Sequence, residues 1–487
     1  TSSKDGHRIY IRGILYIMAK ALNEVYPEAL LSVNYQLSSA MFCKIDNMEI
    51  TDEMIANVKA RMQEIINQNL EIRKVVMTKE EAEEFYSNEK TLRGIVQIDN
   101  TQKEGVSLYY CEDYFNYFFG VMPVTTAYTD VFDVIKYGDG FLVRYPSAEK
   151  PNELTNYKSN KKLLSTLEEY EDIHRVLQID TLYKLNKEIK EGRTSNVILL
   201  SEALHEKKMA NIADDIAKRK NVKMVLIAGP SSSGKTTFAK RLGVELRLNG
   251  LKPVTISVDN YFVERVDNPK DENGDYDFEC LEAIDLELFN NHIKTLLDGG
   301  TIDVPTFDFK VGTKRYNGEK MHLADDEILV IEGIHCLNDK LTSSIPMEQK
   351  YKIYISDLTV LNIDYCNRIS TTDTRLIRRI VRDNNFRGYS ALHTLRTWAS
   401  VNRGENKNIF PYQENCDVMF NSSLIYELSV LKKQALPLLQ EITNAEPEYA
   451  EAKRLVEFLK YFEEVDEGLI PQNSLLREFV GGSIFGD

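Results

Sequence analysis

The stretch VLIAGPSSSGKTTFAKRL, Val225 to Leu242, opens apolar, turns small and flexible, and closes with apolar residues at helical spacing. Gly229 and Gly234 flank Pro230, Ser231, Ser232 and Ser233, and Lys235, Thr236 and Thr237 begin the helix. This is the G-x-x-x-x-G-K-S/T pattern, with a strand before it and a helix after it. Its glycines let consecutive backbone N–H groups converge on phosphate oxygens, and the helix N-terminus adds the positive end of its dipole. The spacing predicts that Lys235 meets the β- and γ-phosphates of ATP or another NTP and that the Thr236 hydroxyl ligates Mg2+. On its own such a loop leaves kinase, GTPase and ATPase open.

Downstream of Asn221, short apolar runs alternate with helical ones. KMVLIAG, PVTISVD, EILVIEG, KIYISD and DVMFN read as strands, and KTTFAKRLGVELRLNG as a helix closed by Gly250. The alternation predicts an α/β fold, a mostly parallel sheet with helices on both faces. In such sheets ligands bind at the C-terminal ends of the strands. Asp259 follows a strand in SVDNYF, which puts a carboxylate where it could take the proton of an acceptor hydroxyl; the bland alternative is an Asp capping a turn. Glu332 ends ILVIEG at a position more often held by Asp, where Glu also supports a Mg2+ shell through water. TDTRLIRRIVRDNNFRG sets Arg375, Arg378, Arg379 and Arg382 at helical spacing, with Arg387 just beyond. Beside a phosphate loop this group is expected to clamp the transferring phosphoryl group rather than form a solvated basic face.

The 487 residues suit two or three domains, at roughly 100–200 residues each. A net charge of −15 argues against attraction of the whole surface to nucleic acid or anionic lipid. Cys43, Cys111, Cys280, Cys336, Cys366 and Cys416 are scattered without a C-x-x-C pair, which reads as reduced thiols of a cytoplasmic protein. No apolar run approaches the roughly 18 residues that span a bilayer, and TSSKDGHRIY lacks a signal-peptide pattern, so no membrane partner is expected. Residues 10–27 and 51–70 carry helical spacing, the second with Thr51 and Asp52 as cap candidates. Shorter aromatic patterns from about Gly105 to Arg144 predict strands, and the polar stretch PSAEKPNELTNYKSNKK marks a boundary near residue 150. The expected division is residues 1–150, a helical connector 151–220, the phosphate-loop domain 221–425 and a helical tail 426–487.

Residues 221–425 resemble the uridine kinase and phosphoribulokinase family of P-loop kinases, through GPSSSGKT, the Asp259 strand, YDFECLEAIDLELF, VPTFDF, VIEGI and DTRLIRRIVRD. The resemblance implies that Gly229, Ser231, Ser232, Ser233, Gly234, Lys235, Thr236, Thr237 and Arg387 hold the nucleotide. It makes Asp259 the general base, Glu332 the metal-shell acid beside Thr236, and Arg382 and Arg387 lid arginines. It places the acceptor at Asp259, Phe278, Glu279, Phe307 and Arg379, with Glu279 where uridine kinases use an Asp to bind the ribose hydroxyls. The Tyr and His that contact the pyrimidine in that family fall here on Phe307 and Gly312, and the Tyr after the Asp motif falls on Phe262. Those replacements remove the polar groups that would read a pyrimidine edge in the same way.

Residues 10–145 resemble the second additional, editing domain of threonyl-tRNA synthetases, through AKALNEVYPEA, MEITDEMIANVKARMQEIINQNLEIRKVVMTKEEAEEF and VSLYYCEDYFNYFFG. That resemblance implies an α+β domain preceded, in longer members, by a small ubiquitin-like domain that this chain starts after. The synthetases' H-x-x-x-H pair and Cys-x-x-x-His fall on Arg12, Tyr16, Phe118 and Met122, none of which suits Zn2+. His7 lies near the helix but out of register. Editing chemistry is therefore expected to be lost, leaving a scaffold, a dimerisation surface for a homo-oligomer or an RNA sensor. The whole chain is expected to be a nucleoside kinase acting on a 5′-hydroxyl, uridine or cytidine favoured, with ATP and Mg2+. The alternatives are a kinase of another nucleoside or sugar alcohol, and an NTP-switched RNA-binding module.

Overall fold

The computed structural model describes the chain except residues 1–2, 88–92, 95–97, 99–104, 156–159, 271–273, 275, 309–310 and 487. Positions 156–159 of the polar boundary stretch and Phe309 of VPTFDF lie outside the described residues. The chain divides into two compact units, one of Thr1–Glu191 with Thr359–Ser370 and Lys460–Glu463, the other of the remainder. The break therefore falls at Glu191–Gly192, inside the stretch read as a connector, because its helices pack into one unit or the other.

In chain order the first unit runs α1 (Lys4–Val25), β1 (Leu31–Gln36), β2 (Ala40–Ile45), α2 (Asp52–Gln68), β3 (Arg73–Met77), α3 (Lys79–Ser87), β4 (Val106–Cys111), β5 (Tyr114–Tyr117), β6 (Asp133–Tyr137), β7 (Gly140–Arg144), α4 (Lys161–Val176) and α5 (Leu182–Lys190). Ser3 caps α1 by accepting from the Gly6 amide at 3.1 Å, and Thr51 caps α2 by accepting from Met54 at 3.1 Å. Such caps satisfy amides that the first helical turn leaves unpaired. Ile14, Tyr16, Ile17, Met18 and Ala21 of α1 are wholly buried. They share one core with the Met54, Ile55, Val58, Met62, Ile65 and Ile66 face of α2 and with residues of β1, β2 and β7. The strands form an antiparallel sheet of order β1-β2-β7-β6 and a second of order β3-β4-β5.

The second unit runs α6 (Thr194–Lys218), β8 (Met224–Ala228), α7 (Lys235–Leu248), β9 (Lys252–Ser257), α8 (Leu286–Leu297), β10 (Thr301–Asp308), β11 (Thr313–His322), β12 (Glu327–Glu332), β13 (Lys350–Ser356), α9 (Thr371–Arg382), α10 (Ala391–Asn408), β14 (Val418–Asn421), α11 (Glu427–Gln440), α12 (Tyr449–Leu459) and the single turn α13 (Arg477–Val480). Five strands make one wholly parallel sheet, β14-β13-β8-β12-β9. β8 is central and all of Met224–Ala228 is buried, as an unbroken aliphatic run with both faces covered requires. α7 packs inward through Phe238, Ala239, Leu242 and Leu246, its Phe238 ring 4.6 Å from that of Phe420 on β14. β10 and β11 pair as a separate antiparallel hairpin that the sequence patterns had not resolved. Residues 464–487 belong to this unit and return to α7, where Lys240 Nζ donates to the Phe485 carbonyl at 3.1 Å. Among the described residues no helix is long and apolar enough to cross a membrane.

Candidate active site

The phosphate loop bridges the end of β8 and the start of α7. Gly234 holds φ +86°, a left-handed conformation that favours glycine, and Ser232 joins it at φ +59°. Lys235 folds back over the loop, its Nζ donating to the Gly229 carbonyl at 2.9 Å and the Pro230 carbonyl at 3.2 Å. The Oγ atoms of Ser232 and Ser233 are buried without a hydrogen-bond partner. Buried hydroxyls are ordinarily satisfied, so these two are groups awaiting an acceptor or donor. The Ser231 amide is already taken by Glu405 Oε1 at 2.8 Å. The loop thus offers orphaned hydroxyls, a cation and a helix N-terminus, which fits the phosphates of a nucleotide.

Register explains why the carboxylates meet the loop. β12 lies between β8 and β9, with Glu332 opposite Ile227 on one side and Ser257 on the other. The Ser257 hydroxyl donates to Glu332 Oε1 at 2.9 Å. Asp259 follows β9 in a short 3-10 turn, Val258–Tyr261. The residue is exposed at its surface, yet the protein packed around it desolvates the carboxylate and raises its pKa against the pull of Lys235 and Arg387. Desolvation likewise raises Glu332, Asp259 adds repulsion, and Lys235 opposes both. Glu279 is pushed up to about 7, chiefly by burial and then by Glu405, while Arg379 and Lys235 pull it down. Lys235, Asp259, Glu279 and Glu332 therefore share one electrostatic neighbourhood, the crowding of titratable groups that marks functional clefts.

The arginines divide into two sets, which corrects the expectation of one clamp. Arg375 is buried and pairs end-on with Glu405, Nη1 to Oε1 at 2.6 Å and Nη2 to Oε2 at 2.8 Å. Arg378 is buried and donates through Nε to Glu427 Oε2 at 2.8 Å. Their remaining donors reach the Ser231 carbonyl at 3.1 Å and the Ser232 carbonyl at 3.3 Å, so these two brace the loop from beneath. Helical spacing alone put them on the same face as Arg379 and Arg382, but the inward side of α9 is the one that meets Glu405 and Glu427. Arg379, Arg382 and Arg387 instead converge on Asp383, at 3.2, 2.9 and 3.7 Å. Arg379 also donates to the Ser231 hydroxyl at 2.9 Å. Burial, then the neighbouring Arg382, lowers the Arg387 pKa. Three guanidiniums around one carboxylate leave a surplus of positive charge that an anionic phosphoryl group would relieve.

The rings of Phe262 and Phe307 lie 5.5 Å apart, and those of Phe262 and Phe278 lie 6.4 Å apart. Phe307 is buried, whereas Phe278 is 40% exposed and borders Glu279 in the chain. Gly312 holds φ +81°, and a Cβ there would lie 2.6 Å from Arg265 Nε, so the hairpin end has no room for a His while Arg265 stands there. Phe262, Phe278 and Phe307 thus make a cluster of apolar rings, with Phe262 and Phe307 at positions where the family carries polar base contacts.

In the first unit, Tyr16, Phe118 and Met122 lie in one buried core, and Arg12 stands one turn before Tyr16 on α1. Arg12 Nη1 donates to the Val121 carbonyl at 2.9 Å, and the Tyr16 ring lies 5.7 Å from that of Phe118. The buried Tyr16 hydroxyl reaches the carbonyls of Tyr109 and Tyr114 at 3.0 and 3.2 Å. Among the described residues no group of three or more His, Cys, Asp or Glu side chains is placed to hold a metal. A Mg2+ in the second unit would draw on the exposed Thr236 hydroxyl, Glu332, water and phosphate oxygens, the sparse protein ligation that this ion accepts.

Two residues escaped the sequence patterns. Glu405, in RGENKN, grips both Ser231 and Arg375. Glu478, in LREFV near the end of the chain, accepts from the Thr237 amide at 3.0 Å. Neither lies in a motif, and each acts through a tertiary contact that spacing cannot encode.

Residues 224–427 match the phosphoribulokinase / uridine kinase family. A uridine kinase of Bacillus subtilis is 27% identical over 222 residues, covering 45% of this chain and 96% of its own. One from Ligilactobacillus salivarius is 30% identical over 187 residues, covering 38% and 78%. A solved structure described as a possible uridine kinase from Bacillus stearothermophilus aligns with 44% of this chain and 100% of its own at 19% identity, with a TM-score of 0.26. With a phosphate loop and strand-end carboxylates in place, and a 30% identical relative covered over 78% of its own length, the chain belongs to the phosphoribulokinase / uridine kinase family of ATP-dependent kinases, through the parallel-sheet unit of its C-terminal half.

Proposed function

We propose that this chain transfers the γ-phosphoryl group of ATP, or another NTP, to the 5′-hydroxyl of a nucleoside. The observation that carries the reading is that the Lys235 charge acts on both Asp259 and Glu279, while Phe278, next to Glu279 in the chain, meets the Phe262 ring that also meets Phe307. A carboxylate for the hydroxyl proton, a second for a ribose diol and an aromatic wall for a planar base together suit a nucleoside better than a simple sugar alcohol.

In this reading Lys235, the loop amides and the serine hydroxyls hold the phosphates, and Thr236 and Glu332 hold Mg2+, which neutralises charge on the phosphate oxygens when bound. Asp259 accepts the acceptor's proton, Glu279 and Arg379 orient the sugar, and Arg382 and Arg387 stabilise charge that develops in transfer. The apolar wall implies modest discrimination among bases, because stacking rewards any planar ring. Relatives named uridine kinase put uridine first, with the related pyrimidine nucleoside cytidine next to it.

The test is ADP release with a panel of nucleosides and sugar alcohols. Stimulation by nucleosides, lost with their 5′-deoxy forms, is expected. Stimulation only by sugar alcohols would replace this reading, and none by either would refute it.

A further inference from the structure

The last segment of the chain sits on the phosphate loop. Thr237 is the third residue of α7, and its amide is among those that a helix leaves unpaired at its start. In a phosphate loop these amides receive the α- and β-phosphates. Here the Thr237 amide donates to Glu478 Oε2 at 3.0 Å. Leu475, wholly buried, lies over Gly234 so closely that a Cβ on that glycine would meet its Cδ2 at 2.2 Å.

The segment is anchored at several further points. The Phe479 ring lies 5.1 Å from the guanidinium of Arg378, the same side chain that braces the Ser232 carbonyl. Asn385 Nδ2, in the Asp383–Arg387 turn, donates to the Phe479 carbonyl at 3.1 Å. Lys240 of α7 holds the Phe485 carbonyl. Glu478 also adds its charge to those that raise Glu332.

A carboxylate and a phosphate are both anions seeking the same donors, so they compete for one place. We propose that residues 475–486 form an autoinhibitory plug in which the Glu478 carboxylate occupies a phosphate position of the nucleotide site until nucleotide displaces it. This rests on the nucleotide-binding reading of the loop. The link through Asn385 ties the plug to the turn that bears Arg387.

The apparent affinity for nucleotide is reduced by the fraction of molecules whose site is open, so removing the competing charge raises it in proportion. The probes are MgADP and inorganic tripolyphosphate, with the full chain as wild type, Glu478→Gln and Glu478→Ala, each checked for folding by its thermal transition. Both variants are expected to bind both probes about threefold to tenfold more tightly than wild type, the range for a plug closed roughly two-thirds to nine-tenths of the time. Equal or weaker binding overturns the plug, weaker binding identifying the segment as part of the nucleotide site instead. Hydrogen exchange in the wild type supplies a readout free of substitution. MgADP is expected to speed exchange of the 475–480 amides, and protection of those amides overturns the proposal. If neither wild type nor variants bind either probe, the kinase reading falls together with the plug; if all bind equally, only the plug falls.

Discussion

Arg375 and Glu405 form a doubly hydrogen-bonded ion pair, both side chains out of water, directly beneath the Ser231 peptide. Glu405 takes the Ser231 amide and Arg375 the Ser231 carbonyl, so one pair fixes both sides of a loop residue.

Breaking that pair leaves a buried charge without its partner, which costs about 3–5 kcal/mol. Arg375→Met should therefore destabilise the kinase unit by about that amount in chemical denaturation. The double variant Arg375→Met/Glu405→Leu should recover part of the loss, because neither charge is then stranded. Its nucleotide affinity should stay below wild type, since Ser231 has lost both struts. A double variant as unstable as the single would contradict the account of the pair.

Lys235 Nζ donates to the loop's own carbonyls, and the residue is only partly buried, outside the apolar core. Lys235→Ala should leave the unfolding transition in place while ADP release in the presence of acceptor falls to background. Wild-type turnover in a folded variant would mean that the loop is not a phosphate cradle.

Glu279 provides a pH signature. Burial, then repulsion from Glu405, holds its carboxyl at about 7 against an ordinary 4.5. A diol is held best by the ionised form, so acceptor KM should fall as pH rises through 7. At pH 6 only about a tenth of such a group is ionised, so KM there should be about tenfold its high-pH plateau. Glu279→Gln should flatten the profile. For stability the sign is opposite: the folded chain keeps a proton that the unfolded chain gives up above 4.5. The contribution is full below that value and is lost as pH climbs through about 7. A KM that rises with pH in the wild type would remove Glu279 from acceptor binding.

The first unit gives a negative prediction. Arg12, Tyr16, Phe118 and Met122, at the positions of the synthetase ligands, offer no imidazole, thiolate or carboxylate. Metal analysis of the purified chain should find zinc far below one per chain, and mischarged tRNA should not be deacylated. About one zinc per chain would show that other ligands have taken over.

Local pattern carried much of the kinase unit. The aliphatic run of β8, the glycine-flanked loop and the helical start at Lys235 are contiguous, so spacing reveals them. The parallel sheet followed from strands such as β9 and β12 recurring between helices, and its order then brings Asp259 and Glu332 beside Lys235. What pattern could not reveal depends on contacts distant in sequence. Arg375 and Arg379 share a helix and a residue type, yet one is sealed against Glu405 and the other faces Asp383, because only packing decides which side of α9 is inward. Glu478 is 241 residues from Thr237, a separation no periodicity reports.

The most direct test of the central claim is the kinetics of Asp259→Asn. The substitution keeps the side chain's size and removes its basicity. Taking the acceptor's proton contributes about 10²–10⁴-fold in rate, so kcat for nucleoside-stimulated ADP release should fall within that range, with ATP affinity nearly unchanged. Nucleoside-stimulated turnover that survives at the wild-type rate would contradict the assignment of Asp259 as the base.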